Sequence, residues 1–264
     1  MIAPASPVST LSGKAFVVTG ASRGIGLSLA QALARRGARV GMIARTSTEL
    51  GARAAEIGED AFPVSADLRD KQALTAAIDQ VAARFGGLSG IINNAGVSRL
   101  GKIAEADEAD VRAMFEVNVF GVLFAMQAAI PHLRAAGGGT IINVSSASVV
   151  HRDEFPFTGP YAASKAALER LSLEARDELK REGIAVCVFR PGATMTHVSA
   201  DWSAEQRAQA LAEWARQGET FDGAMSADVV GEAIAHMLES PPGTAYDLVE
   251  LRPNTPTLRR AMQA

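Results

Sequence analysis

The sequence predicts an α/β fold, a doubly wound parallel sheet of seven strands with helices on both faces. Two observations carry this prediction. Apolar runs of strand length alternate along the chain with segments of helical period, and strands spaced in this way imply right-handed crossovers into a parallel sheet covered on both sides. The first apolar run, Ala15-Phe16-Val17-Val18, passes through a glycine turn, Thr19-Gly20-Ala21-Ser22-Arg23-Gly24-Ile25-Gly26, straight into the helical stretch that begins at Leu27. At 264 residues and 48% hydrophobic, the chain can bury the core of one such domain.

Strands are expected near residues 14–19, 38–44, 61–65, 89–93, 140–145, 184–190 and 245–250, with helices between them. After the first strand, the glycines let a backbone approach a pyrophosphate at a helix N-terminus. The second strand ends at Ala44 and is followed by Arg45, where an acid would accept hydrogen bonds from a free ribose 2′-hydroxyl. The third is followed by Asp67 and Leu68, Asp67 being also a candidate cap for the helix starting near Asp70. The fourth, Gly90-Ile91-Ile92, leads into Asn93-Asn94-Ala95-Gly96. A long helix carrying Asn118, Phe120 and Phe124 then ends at Gly137-Gly138-Gly139. The fifth strand, Thr140-Ile141-Ile142-Asn143-Val144, opens into Ser145-Ser146, and the sixth ends at Pro191-Gly192. Ligands in such folds bind at the carboxyl ends of the strands, where these residues fall.

The pair Tyr161 and Lys165 begins the next helical segment. A spacing of four places two side chains on one helix face about 6 Å apart, so the ammonium is expected to lower the phenol pKa by favouring its charged form. A surface Tyr with a neighbouring Lys gives the same spacing, and the other motifs decide between the two readings.

With these residues in order, the chain resembles the short-chain dehydrogenase/reductase family in its compact single-domain form, from about Lys14 to about Pro253. The matching motifs are the glycine turn, Asn93 to Gly96, Asn118, Val144-Ser145-Ser146, Tyr161 with Lys165, and Pro191-Gly192. Three residues separate the first two glycines of the turn and one the last two, which departs from the G-x-G-x-x-G spacing and fits this branch. The resemblance implies a Rossmann-like sheet and a reversible hydride transfer between a nicotinamide and a ketone or secondary alcohol. Tyr161 would be the general acid or base. Lys165 would tune it and bind the nicotinamide ribose, Ser146 would hold the substrate oxygen, and Asn118 would anchor a water in a proton relay. The cofactor would lie against Gly20, Ser22, Arg23, Gly24, Ile25, Gly26, Asn94, Ala95 and Gly96, with Asp67 and Leu68 flanking adenine. Pro191, Gly192, Thr194 and Thr196 would close over it, Thr196 fixing the carboxamide. Arg23 and Arg45 together, with the strand-end acid missing, favour NADP(H).

Ser146 stands two residues further from Tyr161 than is usual in the family, so counting back from Tyr161 points to Ser148. Ser146 is preferred because the sheet fixes the strand it follows, whereas a loop can absorb an insertion. The loop 149–158 would border the substrate pocket, with His151, Arg152, Asp153 and Glu154 either reading polar substrate groups or facing solvent. Residues 197–225, with Trp202, Trp214, Phe221 and Met225, would form the substrate lid.

Residues 1–12 read as a flexible tail and 13–264 as one domain. A net charge of −3 with five scattered lysines argues against nucleic acid as a partner. The first ten residues lack the basic and apolar regions of a signal peptide, and no stretch reaches the apolar length of a membrane span. The single Cys187 sits in a core strand, and a reducing cytoplasm is expected. None of the four histidines has a partner at metal-ligand spacing. Family resemblance implies a homo-oligomer, a tetramer or dimer, with contact surfaces on the helices beginning near Asp110 and Tyr161. Two other function classes stay open: an NADP-binding sensor or scaffold without turnover, and an epimerase or dehydratase that returns the hydride it borrows.

Overall fold

The computed structural model describes residues 9–151, 156–196, 202–216, 220–221, 223–241, 243–254 and 257–258. In chain order the elements are β1 (Ala15–Thr19), α1 (Gly24–Arg35), β2 (Arg39–Ala44), α2 (Ser47–Ile57), β3 (Ala61–Ser65), α3 (Lys71–Phe85) and β4 (Gly90–Asn93). Then come α4 (Glu108–Phe115), a π-turn (Glu116–Gly121), α5 (Val122–Ala135), β5 (Gly139–Val144), α6 (Gly159–Leu179), β6 (Ile184–Pro191) and β7 (Thr194–Met195). The last are α7 (Ala204–Arg216), β8 (Thr220–Phe221), β9 (Met225–Ser226), α8 (Ala227–Met237), β10 (Leu248–Leu251) and β11 (Thr257–Leu258).

Seven strands form the parallel sheet, as expected, and their order is β10-β6-β5-β4-β1-β2-β3. Period-2 alternation divides its side chains between two cores. Phe16, Val18, Met42, Ile142 and Phe189 face α1, α2 and α8, against Leu29, Leu33, Leu50, Val230 and Ile234. Val17, Ile43, Ile91, Ile141 and Val186 face α3, α5 and α6, against Leu74, Ile78, Val81, Val122, Met126 and Leu168. Each such buried side chain contributes about 1.5–3 kcal/mol relative to exposure, which fixes the register of the strands and therefore where their carboxyl ends sit. β1 and β4 are neighbours from which the chain winds in opposite directions, and the crevice of a doubly wound sheet opens there.

Three expectations need correction. The inner end of the expected tail is anchored: Leu11 is fully buried and Ser9 Oγ donates to Glu239 Oε1 at 2.7 Å, while residues 1–8 lie outside the described residues. Asp67 does not cap α3. Asp70 does, accepting from the backbone N–H groups of Gln72 and Ala73 at 3.0 Å each. Lastly, α4, the π-turn and α5 run on as one helical stretch, Glu108–Ala135, long and apolar enough to cross a membrane by length and composition. Glu108, Asp110, Arg112 and Glu116 interrupt the apolar pattern at its start, which hides its length in the sequence. Its apolar face packs into the core beneath the sheet through Val122, Met126, Ala129 and Leu133.

Candidate active site

A cleft of about 520 Å³ runs along the carboxyl ends of the central strands. Of the residues assigned to the catalytic and cofactor-binding set, Gly26 and Asn118 stand behind its wall and all the others line it. At one end, Gly24 has φ +56°, a left-handed conformation suited to glycine. A Cβ on Gly26 would lie 2.3 Å from the carbonyl oxygen of Gly20, so only glycine lets the helix start this close to the strand. The N-terminus of α1 carries no side-chain cap, whereas Asp70, Asp107 and Ser226 cap α3, α4 and α8. Its first N–H groups are therefore donors available to an anion, and the residues present fit a dinucleotide pyrophosphate.

The wall beyond the turn holds Arg23, Arg45, Thr46, Glu49, Asp67 and Leu68. Asp67 is held by Arg69 through contacts of 2.6 and 3.1 Å, and these hydrogen bonds keep its carboxyl below the usual range despite partial burial. Glu49, in the first turn of α2, lies beyond the strand-end position at which the sequence signals an acid. The position after β4 is tied back to β1: Thr19 Oγ1 accepts from the backbone of Asn94 and Ala95 at 3.1 Å each, and Asn94 Nδ2 donates to Thr19 O at 3.0 Å. Thr194 Oγ1 donates to Gly192 O at 2.9 Å, and the Thr196 side chain comes close to Gly24 across the cleft.

On the floor, Tyr161 hydrogen-bonds Ser146. Ser146 Oγ also accepts from Ser148 Oγ at 2.9 Å and Ser148 N at 3.2 Å. The structure thus brings Ser146 to the phenol, with Ser148 one step behind it. Lys165 is buried and donates from Nζ to Val144 O at 2.8 Å. Asn118 is fully buried in the π-turn; its Oδ1 accepts from Val97 N at 2.8 Å, and its Nδ2 donates to Val97 O at 2.9 Å and Ser164 Oγ at 3.0 Å. A Cβ on Gly96 would meet both Asn118 Oδ1 and Lys165 Nζ, at 3.2 and 3.3 Å, so the bare backbone of Gly96 is where these two side chains converge.

The expected lowering of the Tyr161 pKa is corrected. Burial is the largest influence and pushes the phenol up to about 12, with the Ser146 hydrogen bond opposing it. Burial likewise pushes Lys165 down to about 8, opposed by the charge of Glu169. Helical spacing had given the proximity of the pair but not its desolvation, which disfavours the charged form of each group.

The lid contributes Trp202, whose Nε1 donates to Ser98 O at 3.1 Å, and α7, where Gln206 Nε2 donates to Leu100 O at 3.2 Å. Trp202 lines the cleft; Met225 instead packs in the core with α8. The side chains of Trp214 and Phe221 and residues 197–201 lie outside the described residues. His151 does not reach the cleft: its Nε2 lies 2.7 Å from Glu250 Oε1. Arg152, Asp153 and Glu154 lie outside the described residues. Thr158 and Ala224 line the cleft from the loop 149–158 and the segment 197–225 expected beside the substrate, and Ser98 lines it with no sequence motif to mark it.

The family model described as short chain dehydrogenase matches residues 14–207. A sorbitol dehydrogenase from Cereibacter sphaeroides is 37% identical over 183 residues, covering 69% of this chain and 71% of the relative. An alcohol dehydrogenase from the archaeon Thermococcus sibiricus, solved with 5-hydroxy-NADP, superposes with a TM-score of 0.78 at 26% identity, over 91% of this chain and 96% of the other. A 3-ketoacyl-(acyl-carrier-protein) reductase from Brucella melitensis, solved with NADH, superposes with a TM-score of 0.79 at 25% identity, over 92% and 98%.

Proposed function

The chain belongs to the short-chain dehydrogenase family, and from that premise we propose that it is an NADP(H)-dependent oxidoreductase interconverting a ketone and a secondary alcohol. The observation that carries the reading is the contact between Tyr161 and Ser146 on the cleft floor, with Lys165 one helical turn beyond the phenol.

The pyrophosphate would sit on the uncapped N-terminus of α1, against Gly20, Ser22, Gly24 and Ile25, with Gly26 allowing the approach. Asn94, Ala95, Gly96, Pro191, Gly192, Thr194 and Thr196 would form the nicotinamide end. NADP is favoured over NAD because Arg23 and Arg45 are exposed and, among the described residues, their guanidinium groups make no hydrogen bond or ion pair, Arg45 accepting one from Ser65 only through its main chain. They outnumber Glu49, and Asp67 is spent on Arg69.

When bound, the nicotinamide supplies or accepts the hydride at the carbonyl carbon. The chain's own groups manage the proton. In reduction, Ser146 would donate a hydrogen bond to the carbonyl oxygen as negative charge develops there, and Tyr161 would give that oxygen its proton. A phenol that burial keeps protonated suits the role of acid. Lys165 would then favour the resulting phenolate. In oxidation the proton returns to Tyr161 as hydride leaves the alcohol carbon. Because the Asn118 amide is spent on Val97 and Ser164, any part it plays in the proton relay would fall to its main chain in the π-turn, a backbone irregularity frequent at functional sites. Trp202 would cover the substrate and exclude water. The enzyme would work in a reducing cytoplasm as a homo-oligomer. Burial pushes the Cys187 thiol up to about 12, which keeps it protonated and unreactive.

The test is oxidation of NADPH by the purified protein with a panel of aliphatic, aromatic and polyhydroxy ketones. Turnover on any of them supports the proposal. Silence across the panel, with NADPH bound, would favour a sensor or a hydride-returning enzyme instead.

A further inference from the structure

A line of charges runs beneath the cleft floor, outside the groups assigned to the reaction. Glu169 lies on α6 one turn beyond Lys165, is nine-tenths buried, and accepts from Ser145 Oγ at 2.6 Å on Oε1. Arg190, near the end of β6, donates from Nε to the same oxygen at 2.7 Å and from Nη2 to Oε2 at 2.6 Å. Its Nη1 is 3.6 Å from Glu250 Oε2 on β10, and Glu250 in turn meets His151. Arg252 Nη1 lies 3.3 Å from His151 Nδ1. The cluster joins α6 to the exits of β5, β6 and β10 and to the loop that follows Ser146.

Stability alone is a poor reason for such a pair. The desolvation of two buried charges commonly cancels their attraction, and apolar replacements of similar volume are often as stable. What sets this pair apart is its position: one oxygen of Glu169 holds Ser145, the residue before Ser146, and its helix face is that of Lys165.

We propose that Glu169 is a positioning residue for the hydride-transfer site, fixing Ser145 and through it the Ser146 hydroxyl, and presenting its carboxylate to the ammonium of Lys165. This rests on the reading of Tyr161, Ser146 and Lys165 as the reacting set. The groups facing Lys165 are Tyr161 and Glu169 on its own helix, the Val144 carbonyl on β5, and Asn118 in the π-turn beside Gly96. Arg190, on β6, pairs with the Glu169 carboxylate as its counter-charge. Burial drives Lys165 towards its neutral form, and Glu169 is the charge that opposes this.

The experiment is a titration of Lys165 in the full chain labelled with 13C at lysine Cε, where only five lysines contribute and Lys165→Arg assigns the resonance. Glu169→Gln removes the negative charge that favours the ammonium form of Lys165, so the Lys165 midpoint falls by about one pH unit, and the alkaline limb of kcat/KM moves with it. An unchanged midpoint in the folded variant overturns the proposal. Should Glu169→Gln fail to fold, the double variant Glu169→Met with Arg190→Met replaces the ion pair with packed apolar groups. It is expected to lose kcat by about tenfold or more, because Ser145 has lost its acceptor, while keeping NADPH affinity. A native kcat in that variant overturns the proposal. Absence of hydride transfer by the native protein would instead sink the functional reading, and the NMR titration would still decide whether Glu169 supports Lys165.

Discussion

Lys165 Nζ donates a 2.8 Å hydrogen bond to the carbonyl oxygen of Val144, the last residue of β5. The same strand exit that presents Ser146 therefore also holds the amine, and both depend on the sheet register rather than on the loop between Val149 and Thr158.

Burial lowers the Lys165 pKa from 10.5 to about 8. Between these values the unfolded chain holds a proton that the folded chain has released, so stability of the cofactor-free protein rises with pH across this window. The gain is up to roughly 3 kcal/mol. Tyr161, raised from 10 to about 12, acts with the opposite sign: above pH 10 the unfolded chain loses its proton first and stability falls. Urea midpoints measured from pH 7.5 to 10 should climb in the native protein and climb less in Lys165→Met. Equal slopes would show that Lys165 is not desolvated.

The hydroxyls of Ser146 and Ser148 are 2.9 Å apart, but the phenol meets Ser146. Ser146→Ala is expected to lower kcat by about a hundredfold, since it removes a donor aimed at developing charge. Ser148→Ala, which only orders Ser146, is expected to cost about tenfold or less. Steady-state kinetics of both variants against one ketone decide the matter, and the reverse ranking would make Ser148 the substrate-binding serine.

Arg45 is exposed at the cleft end where a 2′-phosphate would lie. Arg45→Ala should weaken NADPH binding by about tenfold or more, the value of a hydrogen bond to a charged group, and leave NADH binding within about twofold. Fluorescence titrations with both cofactors test this. An equal loss for both would place the phosphate elsewhere.

The strands and the site's surface positions were legible because periodicity and glycine turns report the local chain. Ile141 and Ile142 alternate between the two cores, and Gly20 to Gly26 join a strand to a helix in the way their spacing implied. Features that depend on burial or on distant partners were not legible. The spacing of Tyr161 and Lys165 gave their common face, yet their pKa directions follow from desolvation by residues scattered along the chain. The π-turn at Asn118 has no marker in its sequence. The loop that follows Ser146 leaves His151 either at the substrate or in solvent, and nothing near it in sequence predicts its pairing with Glu250, 99 positions away. Ser9 and Leu11 read as tail because nothing near them in sequence predicts Glu239 or the cavity that Leu11 fills.

The most direct test is single-turnover oxidation of bound NADPH by a ketone substrate in the native protein and in Tyr161→Phe, with NADPH affinity measured for both. Loss of the proton donor should slow the variant by about a hundredfold to ten-thousandfold while affinity stays within about twofold. A variant that turns over at the native rate would contradict the assignment of Tyr161 as the acid and, with it, the mechanism.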